Sequence, residues 1–336
     1  MEIKRRERID RGIKVRGEGI YAVSSLKEIL YIAGPRLLLI LGLLSLPFLL
    51  TFAPYWKRVI NIMCVYGLLA LSFDFLANYV GLVCLGGAMF IGVGGYMTAI
   101  FNVYLHIPLY LSIPFAGLAG GAICTVVLLP CLSLRGVYFA IITLMYPLLF
   151  TRVIEALDIL GGTNGITGVE SFPSQNMENY IIIILLLAVL FGLRRLVTED
   201  IGLVLRGVKD NDQAVRASGI NVTKMKALAV FIASFVGCLG GAYLAHLYMW
   251  AGLSLFALDF SIIPIAAVTI GGGGSLLGAI IGCFILVPLS EFLRFFGTFR
   301  IVIYCTMLTG FIVFKSEGLL TYFARKYYQF QRWAKV

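Results

Sequence analysis

Charge is what this chain has least of. Asp, Glu, Lys and Arg make up 13% of its 336 residues, against 60% hydrophobic, where a soluble domain carries about 25% charged and 45–50% apolar residues. A water-facing globule is therefore excluded as its main state. Only two histidines occur, His106 and His246, far apart in sequence and each near the end of an apolar stretch, where packing or one hydrogen bond accounts for them. No GxxxxGK[ST] phosphate loop is present, so nucleotide has to be bound by another polypeptide. The seven cysteines, at 64, 84, 124, 131, 238, 283 and 305, form no CxxC pair and lie in or beside apolar runs. They read as small buried apolar residues rather than metal or redox ligands. No nucleophile with its base and no metal cluster can be put together from the remaining polar residues, so neither catalytic nor metal-binding residues are assigned and the chain is read as non-catalytic.

What the chain does have is a succession of long apolar runs, and about 20 such residues cross a bilayer core as a helix. Spans are expected near 36–54, 58–79, 86–105, 110–131, 136–156, 179–197, 226–249, 260–273, 276–294 and 299–315. The net charge of +10 is not interleaved with aromatics on a polar surface, as nucleic-acid binding would require, but gathers between the runs: before residue 36, across 194–226, and after 315. Under the positive-inside rule all three clusters face the cytoplasm. Ten spans satisfy that placement by parity, and eight spans with two re-entrant segments satisfy it as well. The fold class expected is an all-α polytopic membrane protein of eight to ten transmembrane helices, some short or broken at glycine-rich segments. A basic leader at 1–35 precedes a membrane domain at 36–315, and a tail at 316–336 follows. Both termini are expected in the cytoplasm, and no cleavage pattern follows the first apolar run.

Two stretches between spans are polar enough for structure of their own. On the outer side, 158–178 is rich in Gly, Asn and Pro, which suits a compact loop. On the inner side, 198–226 reads as one short helix, Asp212 to Ser218, capped by Asp210 or Asn211 and ended by Gly219. Two turns are too few to be stable alone, so that helix needs a surface to rest on. Ionisable residues within spans are costly. Arg152 with Glu155, and Glu291 with Arg294, have the spacing of local ion pairs on one helix face. Asp74 has only Asn78 one turn on, and is expected either at a wet helix end or on a pathway. Glycines crowd 81–95 and 271–282, where helices can approach closely or the chain can break at membrane depth; GGGGS at 271–275 reads as a tight break between two helical segments.

Five motifs in order carry a resemblance. GLVCLGGAMFIGVGGYMTAI at 81–100, LRGVYFAIITL at 134–144, GGTNGITG at 161–168, the long run at 201–245 and VTIGGGGSLLGAIIG at 268–282 resemble the LivM family of ABC permeases from about residue 36 onward. Departures are Cys84 where that family has serine, Val137 where it often has a polar or acidic residue, and FKSEGLL at 314–320 for FRPQGL. The resemblance implies a permease for branched-chain amino acids in the bacterial inner membrane. It implies as partners a homologous second permease, two cytoplasmic ABC ATPase subunits that bind ATP and Mg in place of any cofactor on this chain, an extracytoplasmic solute-binding protein, and membrane lipid, with no nucleic acid. It implies too that the loop 199–226 holds an ATPase-coupling helix, with Asp212, Ala214, Arg216, Ala217, Gly219 and Ile220 at the contact. Candidate pathway or helix-break residues are Gly86, Gly87, Tyr96, Thr143, Asn164, Gly272 and Gly274. Urea or short amides as substrates, and a stand-alone secondary carrier, remain as alternatives.

Overall fold

A computed structural model describes residues 54–134 and 136–293, together with positions 42, 45, 299, 306, 309, 310 and 318. The chain divides into two units, Met1–Ser45 and Leu46–Val336. In the first, Gly42 and Ser45 are the described residues, both helical.

In the second unit α1 runs Pro54–Asp74 and continues as a π-helical turn, Phe75–Val80. Next come α2 (Gly87–Ala99, with a π-helical end Ile100–Tyr104), α3 (Leu109–Leu128, with a 3-10 end Leu129–Ser133) and α4 (Val137–Leu157). Then follow α5 (Gln175–Thr198), α6 (Asp200–Asp210), α7 (Asp212–Ala217) and α8 (Val222–Tyr248), and finally α9 (Asp259–Gly271) and α10 (Leu276–Phe292). Among the described residues seven helices are long and apolar enough to cross a membrane, and α10 is a shorter apolar one. Eight of the expected spans thus coincide with helices. The expected spans 36–54 and 299–315 lie all but wholly outside the described residues, as does the Arg294 partner expected for Glu291; Glu291 receives a hydrogen bond from Tyr55.

The expectation of an all-α chain needs one small correction. Ile166–Thr167 (β1) and Trp250–Ala251 (β2) pair antiparallel, Ile166 opposite Ala251. This two-residue ladder ties the 158–174 loop to the segment after α8. The end of the bundle bearing that ladder is here the loop end; the other, bearing α6 and α7, is the basic end.

The core forms around α8, which packs against α3, α2 and α1. A bilayer offers apolar side chains no gain from clustering, so helices there associate through close packing of small residues. Gly94 shows the reason for the glycine crowding: a Cβ on it would strike the backbone of Cys238, so only glycine lets α2 lie this near α8. Gly120 and Gly121 of α3 meet the same part of α8, at Cys238 and Phe235. By contrast α4 is only lightly covered, with Tyr138, Ile141, Met145, Leu148 and Leu149 all exposed.

Candidate functional site

Two spans are interrupted inside the bundle, in opposite senses. At the basic end, Gly81 lies against Lys209 of α6, and residues 81–86 then run without helix before α2 begins at Gly87. At the loop end, the chain leaves β2, forms a 3-10 turn at Leu253–Phe256, and becomes helical again only at Asp259. Phe256 reaches in to stack on Tyr96 at 5.9 Å and on Phe150 of α4 at 5.9 Å. The two resumed helices meet start to start: Ala88 N donates to Ser261 Oγ at 2.9 Å, and a Cβ on Gly87 would lie 2.8 Å from the Phe260 carbonyl oxygen. From α4, Thr143 Oγ1 accepts from Leu85 N at 3.0 Å, which closes the interruption from the side. Two buried or half-buried backbone donors, Ala88 N and Leu85 N, are thus satisfied by side chains where helix or sheet is lacking, as such interruptions require.

The second cluster sits at the basic end, where α9 turns into α10. Gly272 and Gly274 have φ of 107° and 82°, and Ser275 Oγ caps α10 by accepting from Gly278 N. Fully buried Asp74 anchors this turn, its Oδ1 accepting from Gly274 N and from Asn78 Nδ2, both at 2.7 Å. Asp74 is therefore not a wet helix end. Its carboxylate does the work a backbone partner would do for a turn that has none. Tyr79 OH donates to Gly274 O at 2.8 Å, so both backbone groups of that glycine are held, one from the last residue of α1 and one from its π-helical turn. The same end is tied to α6: Lys209 Nζ donates to Asn78 O at 2.9 Å, and Arg206 lies over the Tyr79 ring at 5.3 Å.

The third element is the helix pair α6 and α7. The single short helix expected over 198–226 is in fact two, because Asn211 breaks the run with extended backbone. Gly202, Leu205 and Val208 give α6 one buried face, and Gly202 backs directly onto the Val197 backbone. Asn211 Oδ1 caps α7 by accepting from Gln213 N at 2.9 Å and Ala214 N at 3.2 Å. Gly219, at φ 81°, ends it in a left-handed turn that other residues seldom adopt. Lys226 of α8 binds Asp212 at 2.7 Å with both side chains largely buried, which supplies the surface a six-residue helix needs. Ala214, Arg216, Ala217 and Gly219 stay exposed, while Asp212 and Ile220 are half-buried.

The predicted residues therefore fall into three places. Gly86, Gly87 and Thr143 come together at the interruption, with Tyr96 further along α2 against Phe256. Gly272 and Gly274 stand apart from them, at the basic-end turn. Asn164 is exposed at the loop end, where its carbonyl accepts from Trp250 Nε1 at 2.8 Å, so it does not join the others. Sequence reasoning missed Ser261, Lys226 and α6. The period of Gly202, Leu205 and Val208 is the signal that could have revealed α6; Ser261 leaves none. The expected Arg152–Glu155 pair is present at 2.8 Å. His246 is fully buried, its Nδ1 and Nε2 each 2.7 Å from Glu170 O and Ser112 Oγ. Among the described residues no cluster could hold a metal ion.

Helices of membrane-crossing length, small-residue packing and spans interrupted within the bundle define a multi-pass membrane protein of the transporter kind. The family described as "Branched-chain amino acid transport system / permease component" matches residues 56–313, and the chain belongs to that family. It is 24% identical to the high-affinity branched-chain amino acid transport system permease protein LivM of Salmonella typhimurium, over 88% of this chain and 80% of the relative. The LivM protein of Escherichia coli K12 is 25% identical over 76% and 68%, and a probable branched-chain amino acid transport permease of Methanocaldococcus jannaschii 27% over 63% and 70%. No solved structure matches the chain.

Proposed function

We propose that this chain is the transmembrane permease subunit of an ATP-driven importer for branched-chain amino acids, set in the bacterial inner membrane with its basic end and both termini in the cytoplasm. The relatives named for that transport support the substrate class. The observation that carries the reading is α7: a capped helix with a face of exposed small residues, tied to α8 through Asp212 and Lys226, at the end where positive charge gathers. Such a helix serves as a handle for a motor that this chain does not contain. The partners are a homologous second permease, two ABC ATPase subunits that bind ATP and Mg, and a solute-binding protein delivering to the loop end.

In the mechanism, closure of the ATPase pair moves α7, and packed helices rock as rigid bodies to open one side and close the other. The contacts that rearrange are those at the interruption, where Gly86, Gly87, Thr143 and Ser261 meet. Gly219→Trp tests the reading. The variant is expected to reach the membrane at the normal level, to lose ATP-driven leucine uptake, and to co-purify poorly with the ATPase subunits. Normal uptake would remove α7 from the mechanism.

A further inference from the structure

Next to the meeting of the two interrupted spans lies a niche that the chain fills with a ring of its own. Gly92 and Tyr96 stand one turn apart on α2, after Gly87, and Phe150 stands on α4. Phe256 lies against all three and is almost wholly buried there, its ring stacked on Tyr96 and on Phe150 at 5.9 Å each. Gly92 forms the floor: a Cβ on it would collide with the Phe256 ring, so the ring rests directly on the α2 backbone. The ring belongs to neither helix. It is carried in by the 3-10 turn Leu253–Phe256, shortly before Ser261.

Two observations set this niche apart from ordinary core. The hydrogen bonds described for the turn are local, Leu255 N donating to Gly252 O and Ala257 N to Ser254 O. None of those described ties 253–257 to α2 or α4, so the ring can withdraw with its turn and break none of them. Independently, the Tyr96 hydroxyl is buried without a hydrogen-bond partner, which is rare for a buried polar group. A guest in the ring's place can supply that bond. Binding sites for small molecules have this make-up, apolar walls with a few polar groups that fix orientation. A guest apolar at one end and hydrogen-bonding at the other satisfies the niche. A charged side chain finds no opposite charge on Gly92, Tyr96 or Phe150.

We propose that the Phe256 ring stands in for the solute: the niche of Gly92, Tyr96 and Phe150 receives the aliphatic side chain of a neutral amino acid when the 253–257 turn withdraws, and the Tyr96 hydroxyl then bonds the solute's head. The choice of solute rests on the importer reading. Ring and side chain compete for one place, so the niche is shut whenever no solute fills it. Its dimensions also select among solutes, since a methyl group covers too little of the floor and rings to displace Phe256.

Equilibrium dialysis of the purified full chain in detergent, without nucleotide, tests this with labelled leucine, alanine and lysine. Phe256→Ala removes the competitor and is expected to strengthen leucine binding roughly tenfold or more over the native chain. In that variant alanine, with a side chain three carbons shorter, should bind roughly tenfold or more weakly than leucine, and lysine should not bind measurably. Adding Tyr96→Phe to Phe256→Ala should weaken leucine about fivefold. Adding Gly92→Leu instead, which refills the room the ring vacated, should abolish binding. Phe256→Leu keeps an apolar side chain on the turn, so it tests the same idea with less risk to folding, and a smaller gain for leucine is expected. No gain in either Phe256 variant, a gain shared equally by alanine and lysine, or unchanged leucine affinity on adding Tyr96→Phe or Gly92→Leu would each overturn the proposal. ATP-dependent leucine uptake by the reconstituted importer, with no gain in these variants, sinks the niche alone. The expected gain in a chain that transports without ATPase subunits sinks the importer reading alone.

Discussion

Replacing Asp74 with alanine should loosen one turn and leave the rest of the bundle in place. The carboxylate accepts two hydrogen bonds at 2.7 Å, from Asn78 on its own helix and from Gly274, 200 residues away. Bonds to a charged acceptor contribute about 1.5–3 kcal/mol, and an unmatched buried donor costs about 1–3 kcal/mol. Against this, the variant no longer buries a charge, which costs several kcal/mol after relaxation. The global balance therefore moves little, and the loss falls on the contact that joins distant segments. Taking about 2 kcal/mol for it, the opening equilibrium of the 271–275 turn rises roughly thirtyfold. Hydrogen–deuterium exchange of the full chain in detergent should report this as faster exchange of the Gly274 amide. Asp74→Asn, which keeps an oxygen where Oδ1 stood, should retain most of the protection. Unchanged exchange in the alanine variant, or equal exchange in both, would refute the assignment of Asp74 as the anchor.

Three further outcomes are expected. Asn211→Ala removes the α7 cap, at a cost of about 1 kcal/mol, and should weaken binding of isolated ATPase subunits about fivefold in a titration, with Asn211→Asp restoring it. His246→Leu leaves the Glu170 carbonyl and Ser112 hydroxyl without their partner, a loss of about 1–3 kcal/mol. Protease added at the loop end should then cut 158–174 faster in that variant, with uptake falling only as the loop is cut. Gly94→Leu forces a side chain into the Cys238 backbone, so the chain should be missing from membrane fractions altogether, and normal abundance would contradict the packing of α2 on α8.

The helices were legible because lipid imposes one rule on every span, apolar residues over enough length, and that rule is written locally. The GGGGS break was legible for a related reason, since four glycines within apolar sequence have few other uses. The interruptions at 81–86 and around Leu253–Phe256 were only half visible. Their composition stays as apolar as a helix, and what keeps them unwound lies elsewhere in sequence, in Thr143, Ser261 and the ring of Tyr96. The anchoring bond of Asp74 was missed for the same reason: its spacing to Asn78 was plain, while its other partner is the backbone amide of Gly274, 200 residues away. Helix α6 escaped because three buried positions among eleven residues give a weak period, and the charges around them look like an ordinary loop.

The placement of these contacts bears on where the bundle can yield. A glycine-rich turn such as 271–275 would ordinarily be the soft point between two helices. Here it is clamped, with Gly274 N bonded to Asp74 and Gly274 O bonded by Tyr79, and α6 reaches the same spot through Lys209 and Arg206. From that turn α9 extends as a helix of 13 residues, a rod of about 20 Å, and its first turn ends on Ala88 through Ser261. In the proposed importer, a shift of α6 and α7 would be delivered along these hydrogen bonds and this rod to the start of α2. The segment 81–86 is held at its two ends. Gly81 N and Leu82 N donate to Leu76 O at its start, and at its finish Leu85 N donates to Thr143 Oγ1 while Gly86 O accepts from Met89 N and Phe90 N. In the proposed importer, bending would fall between those two ends, beside the meeting of the two interrupted spans, with the glycine turn as part of the lever.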